Sequence, residues 1–216
     1  MLNIGVTITA MCLSVHALAG EWELQKETDG LSAYTKSVEG SDFVAVRVTG
    51  AVDRSVEDLI ALNTDADRLD EWMVTFDKVA VVDRRAWFDY DLRVRYDFPF
   101  PFADRVSRTR SELFRIGDKV YLVFQSVPVE DAGGAVPMAS VKGFWSFAPT
   151  SDGHTDVVYQ THIEPGGNMS SVLSNAFSID VPLDTFRNLI ARPEVRLNPE
   201  IDLLELQLGS SERVQW

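Results

Sequence analysis

The chain has 216 residues, with 33 acidic against 20 basic side chains and a formal net charge of −13 at pH 7. That balance argues against a nucleic-acid partner, which needs clustered basic charge, and against tight general adhesion to anionic membranes, although transient membrane contact stays open. The single cysteine, Cys12, precedes the globular part, so that part has no disulfide, thiolate nucleophile or cysteine metal site.

Residues 1–19, MLNIGVTITAMCLSVHALA, carry no Asp, Glu, Lys or Arg and end in Ala17-Leu18-Ala19, a small-x-small pattern. They read as a secretory signal peptide cut after Ala19, which implies export across an inner membrane and a periplasmic location. As a membrane span the run falls short of about 20 apolar residues. It is also interrupted by Asn3, Ser14 and His16. One domain is expected over 20–193, with 194–216 as a C-terminal tail and the protein as a monomer.

GEWELQKETDG reads as a short helix closing at Gly30. LSAYTKSV and DFVAVRVTGAV then read as strands joined by a turn at Glu39-Gly40-Ser41. Asp53 fits an N-cap for a helix with Val56, Leu59, Ile60 and Leu62 on one face, and a further helical turn leads to Trp72. Residues 88–96, FDYDLRVRY, alternate strictly. Phe88, Tyr90, Leu92, Val94 and Tyr96 share one face, while Asp89, Asp91, Arg93 and Arg95 take a wet one.

This strand runs into YDFPFPFADR, where Pro99 and Pro101 stop strand pairing between Phe98, Phe100 and Phe102. Leaving such rings in water forfeits about 2 kcal/mol of burial each, so they are expected to plug or line one end of a hollow. Further strands are read at 106–116, 119–127, 139–148 and 155–164, with turns at Gly117-Asp118 and Ser151-Asp152-Gly153. The loop at 128–137 is long enough to be mobile. Over 168–193, Met169, Val172, Ala176, Ile179, Leu183 and Phe186 recur at helical spacing, Asn168 fits the cap, and Pro182 forces a kink or a restart. The class is α+β: a curved antiparallel sheet wrapped around a long C-terminal helix, with a hollow between them.

Motifs for chemistry are sparse. His154 lies in a turn, and His162 with Glu164 forms an H-x-E without the P-C-x-x-C half of a zinc deaminase. H-E-x-x-H and G-x-S-x-G are both missing, so no metal, cofactor or hydrolase nucleophile is expected. Arg108 and Arg110 share a strand face and Arg105 takes the opposite one. Such arginines mostly pair with surface acids, whereas one turned inward, whichever of the three it is, is a buried cation that needs a partner and can orient a ligand's polar head.

Several stretches together resemble the START (StAR-related lipid transfer) family. Trp72 in DADRLDEWM stands where that family often ends its second helical segment with tryptophan. PFPFADR is similar to its Pro-aromatic-Pro-x-x-x-Arg element, with Val106 where aspartate usually follows. VKGFWSFAPTSDGHTDVVYQTHIEPGG resembles its W-x-x-x-P, D-G-x-T, tyrosine and P-G-G succession, and SNAFSIDVPLDTFRNLI its closing helix. The landmarks run in order over about 20–192.

The resemblance implies a helix-grip fold with a lipid-sized tunnel, and noncatalytic binding and transfer of one hydrophobic ligand such as a sterol or phospholipid. Candidate tunnel residues are the inward strand positions Tyr90, Leu92, Val94, Leu122, Phe124, Trp145 and Tyr159. Leu173, Ala176 and Phe186 are expected to form the lid, and Trp72, Phe100, Arg105 and His162 complete the set. Two alternatives are a helix-grip cyclase or hydrolase using Arg105, His162 and Tyr90, and an envelope interaction module.

Overall fold

The computed structural model describes residues 20–98, 100–192, 195 and 200–215. The signal-peptide segment lies outside that set, as do the side chains of the two lid candidates Leu173 and Ala176. The strands are β1 (Glu23–Thr28), β2 (Leu31–Lys36), β3 (Ala45–Val52), β4 (Phe76–Ala86) and β5 (Asp89–Tyr96). They continue with β6 (Arg105–Ile116), β7 (Lys119–Val127), β8 (Val136–Pro137), β9 (Ser140–Pro149) and β10 (Thr155–Glu164). Nine of them form one sheet in the order β1-β2-β3-β10-β9-β7-β6-β5-β4, and β8 joins the edge of β6. Neighbours along that order are antiparallel, whereas β8 runs parallel to β6.

Among the described residues there are three α-helices, α1 (Val56–Thr64), α2 (Ser171–Phe177) and α3 (Asp180–Ala191), and 3₁₀ segments at Ala66–Glu71, Leu203–Glu205 and Ser211–Val214. The sheet grips α3 through Leu183, Phe186 and Leu189, all fully buried. Burying each such side chain contributes roughly 1.5–3 kcal/mol. Gly50 on β3 makes the approach possible. A Cβ there would lie 2.4 Å from Leu31 Cδ2 and 3.6 Å from the Phe186 ring. The result is the expected helix-grip architecture.

Several local expectations are corrected. GEWELQKETDG is not a helix but contains β1, an edge strand exposed along most of its length. Asp29 and Gly30 both have positive φ (55° and 75°), and Thr28 pairs with Leu31, so Asp-Gly is a two-residue hairpin turn rather than a helix stop. The N-cap of α1 is Ser55, whose Oγ accepts from Asp58 N at 3.1 Å, and not Asp53. β4 was not foreseen. The final helix is two helices broken at 178–179, with Ser170 rather than Asn168 before the first. Pro182 sits in the first turn of α3, where its missing N–H has no intrahelical acceptor to lose. Residues read as a tail also pack on the domain: Leu206 is buried, Trp87 Nε1 donates to Glu205, and Leu208 bridges to Arg115 at the end of β6.

Candidate functional site

Period two aims one row of each strand at α2 and α3. On β5 the inward row is Tyr90, Leu92, Val94 and Tyr96, on β6 Arg105, Ser107, Thr109 and Ser111, and on β10 Tyr159, Thr161 and Ile163. Two adjoining chambers lie between this surface and the helices. The outer one, about 300 Å³, is framed by Phe43, Val46, Phe98, Phe102, Met169 and Phe177. The inner one, about 110 Å³, is framed by Tyr90, Leu92, Val94, Leu122, Phe124 and Trp145. Thr75, Tyr96, Thr161, Ile163, Val181 and Pro182 line both, so the chambers share a wall.

Aromatic packing shapes the inner chamber. Trp145 stacks on Tyr159 with centroids 4.1 Å apart, and Trp72 meets Trp145 edge-on at 6.0 Å. Phe186 approaches the same indole at 5.9 Å. Gly143 on β9 leaves room for the Phe124 ring, because a Cβ there would lie 2.5 Å from Phe124 Cζ. Tyr96 donates to or accepts from Ser107 Oγ at 3.0 Å, and burial pushes its pKa up to about 12. Tyr90 and Tyr159 are also shifted upward by burial, so both phenols stay neutral.

The structure brings Tyr90, Leu92, Val94, Leu122, Phe124, Trp145 and Tyr159 to the inner chamber. Trp72 and Phe186 lie buried behind its wall rather than in it. Phe100 is a correction. It is 97% exposed at the tip of the 97–104 turn, because Phe98 and Phe102 occupy the two inward positions. His162 is a second correction. With Thr161 and Ile163 aimed inward, alternation puts His162 on the convex face, where its Nε2 lies 3.2 Å from both Ser41 Oγ and Phe43 O.

Arg105 is buried but lines neither chamber. Its guanidinium donates to Pro165 O at 3.1 Å and to Ala103 O, and lies 5.2 Å from the Phe98 ring centroid. It therefore clasps the 97–104 turn to the Pro165-Gly166-Gly167 turn at the outer chamber. Arg108 and Arg110 point to the convex face, where they pair with Asp91 (2.8 Å) and Asp89 (2.9 Å). The Arg85 and Arg110 guanidiniums hold the Asp89 carboxyl below the usual carboxylate range.

The outer chamber was largely missed from the sequence. Val44 and Val46 belong to a visible strand, and Thr161 and Ile163 continue the inward row begun by Tyr159, so the alternation could have found them. Phe177 and Met169 could not have been assigned, since their orientation depends on the break between α2 and α3. Lining the chambers, the described residues include one carboxylic acid, Asp97, and no Lys, Arg or His.

A deep antiparallel sheet closed over a C-terminal helix, with chambers between them, defines a helix-grip protein, and its fold is that of the START (StAR-related lipid transfer) domains. No family model matches the chain. It is similar to a STAR-related lipid transfer protein from Xanthomonas axonopodis, with TM-score 0.73 and 25% identity over 79% of this chain and 97% of that one. Human STARD10 shares the fold at TM-score 0.70 and 15% identity, over 78% and 71% of the two chains. In sequence the chain is 29% identical over 187 residues to the uncharacterised Pseudomonas aeruginosa protein PA1579, covering 84% of this chain and 91% of that one.

Proposed function

We propose that this protein binds one hydrophobic small molecule, a lipid or lipid-like compound, and carries it between membranes without chemical change. The observation that carries the reading is the pair of adjoining chambers walled by aliphatic and aromatic side chains between sheet and helices. A pocket near 300 Å³ or larger with few polar groups suits such a ligand. The Xanthomonas structure, named as a lipid transfer protein, lends support. Action as a monomer in the periplasm completes the proposal, resting on the signal-peptide pattern of residues 1–19.

Exchange requires a route, and α2 is its natural gate. It borders the outer chamber through Ser174, Asn175 and Phe177, and the Asn175 amide ties it to Asp42 and Val44 in the segment leading into β3. On α2 itself Val172 and Phe177 are 80% and 57% exposed, and Phe100 is exposed on the 97–104 turn, whose Phe98 and Phe102 line the same chamber. These three apolar groups flank the outer chamber and would enter a bilayer during transfer.

The test uses purified protein and native mass spectrometry for co-eluting lipid, with Ile163→Trp as the comparison. Ile163 lines both chambers, so an indole there fills their shared wall. The variant is expected to stay folded at a cost of about 1–3 kcal/mol and to lose lipid uptake at least about 10-fold. A folded variant that retains full uptake would sink this assignment.

A further inference from the structure

We infer that the turn at residues 73–76 is an inner gate between the two chambers, and that backbone strain at Thr75 keeps it close to opening. The inference rests on the ligand-binding reading and deepens it, since a ligand long enough to use both chambers has to move this turn.

Phe76 N donates to Met73 O at 3.2 Å, so residues 73–76 close a β-turn with Thr75 in third place. Its φ is 75°, in the left-handed region. Glycine or asparagine suits that place, whereas a side chain branched at Cβ crowds the backbone there. Among the described residues one other non-glycine has positive φ, Asp29, in a hairpin turn that favours Asp-Gly. Such strain persists only where neighbours enforce it. Here Asp97 N donates to Thr75 O at 3.0 Å, and Val74 N to Thr185 Oγ1 at 3.2 Å. The first bond latches the turn to the start of the 97–104 turn, and the second latches it to α3.

Met73, Val74 and Phe76 wall the inner chamber, and Thr75 lines both chambers. Of the other residues on the shared wall, Tyr96, Thr161 and Ile163 are fixed by strand pairing in β5 and β10. Val181 and Pro182 open α3, whose Leu183 and Phe186 are fully buried. Widening the neck at any of these breaks the sheet ladder or pulls α3 from the core. Thr75 belongs to no strand or helix, and moving it gives up the two latch bonds while releasing the strained dihedral. Strain thus raises the closed turn towards the open one, which a ligand entering the inner chamber then selects.

Thr75→Gly takes the strain out of the closed turn, so it should stabilise the protein without ligand and weaken its grip on one. Hexadecan-1-ol is the probe, delivered from cyclodextrin to the full exported chain. Without it, Thr75→Gly is expected to melt about 2–4 °C above the wild type. Affinity for hexadecan-1-ol is expected to fall about 5-fold, because the open turn is less populated. Thr75→Ala keeps a Cβ at positive φ, so it should show no gain in melting temperature and at most about a 2-fold loss of affinity. A glycine variant that melts higher but binds like the wild type would mean that the turn stays shut as ligand enters. One that melts lower would mean that no strain is stored there. Equal affinity losses in the two variants would trace the effect to the lost side chain. Each of these results overturns the gate and leaves the lipid reading standing. If the wild type takes up no hexadecan-1-ol, the lipid reading fails and the gate with it.

Discussion

His162 shows how one side chain ties the folded state to pH. Its ring is buried on the convex face of β10, with Ser41 Oγ and Phe43 O at its Nε2, Lys142 nearby and Glu164 Oε1 at 4.0 Å. Burial, aided by the Lys142 charge, lowers its pKa against the opposing pull of Phe43 O and Glu164. A lowered folded-state value means that the unfolded chain takes up the proton first as pH falls. The neutral ring therefore costs nothing well above the ordinary histidine pKa, near 6.5. Stability is lost as pH drops below that value, until the folded ring also protonates. Urea unfolding at pH 7 and pH 5 should show a smaller difference for His162→Gln than for the wild type. Equal differences would mean that the ring titrates alike in both states. The residue's place beside the Phe43–Val44 edge of the outer chamber means that acid would loosen the site from outside.

Among the elements, α2 and α3 are held very differently. α3 is pinned at both ends, by Lys26 to Asp180 (2.9 Å) and by Arg192 to Glu71 (2.6 Å), and in its middle by Asn188 Nδ2 to Trp72 O (3.0 Å). α2 has the Asn175 amide, which accepts from Val44 N (3.2 Å) and donates to Asp42 O (3.1 Å). Asn175→Ala removes both bonds, roughly 1–2 kcal/mol, and is expected to speed ligand release about 10-fold with little change in melting temperature. Stopped-flow release of a fluorescent fatty alcohol measures it, and an unchanged rate would move the gate elsewhere.

The same elements show what the sequence could tell. β5 was legible because its apolar and charged residues alternate without a break, and β7 and β10 because turn residues bound runs of strand-forming side chains. β4 was not, because its register shifts at Phe76/Lys78, Val81/Asp83 and Arg84/Ala86, and each bulge resets the period. β1 was misread because an exposed edge strand has no apolar row to betray it, and only the Asp29-Gly30 turn carried the signal. The inner chamber followed from strand alternation. The outer one depends on where a helix breaks and how turns fold back, which tertiary packing decides.

At the scale of the molecule, the charge of −13 is arranged so that the convex-face arginines are already engaged. Arg85, Arg108 and Arg110 meet Asp83, Asp89 and Asp91, and Arg95 meets Asp104. That leaves the rim of the outer chamber, with Phe100, Val172 and Phe177, as an apolar surface on an acidic body. Docking in the proposed transfer cycle should then be hydrophobic in origin and opposed by anionic lipid. Transfer of a fluorescent fatty alcohol from phosphatidylcholine vesicles is expected to slow when anionic lipid is added at low salt. Raising the salt should restore it as the charges are screened. The double change Phe100→Ser with Val172→Ser should cut the transfer rate about 10-fold while moving equilibrium affinity much less. Both side chains are exposed and line neither chamber. Faster transfer from anionic vesicles, or a double variant as fast as the wild type, would place the membrane contact on another face.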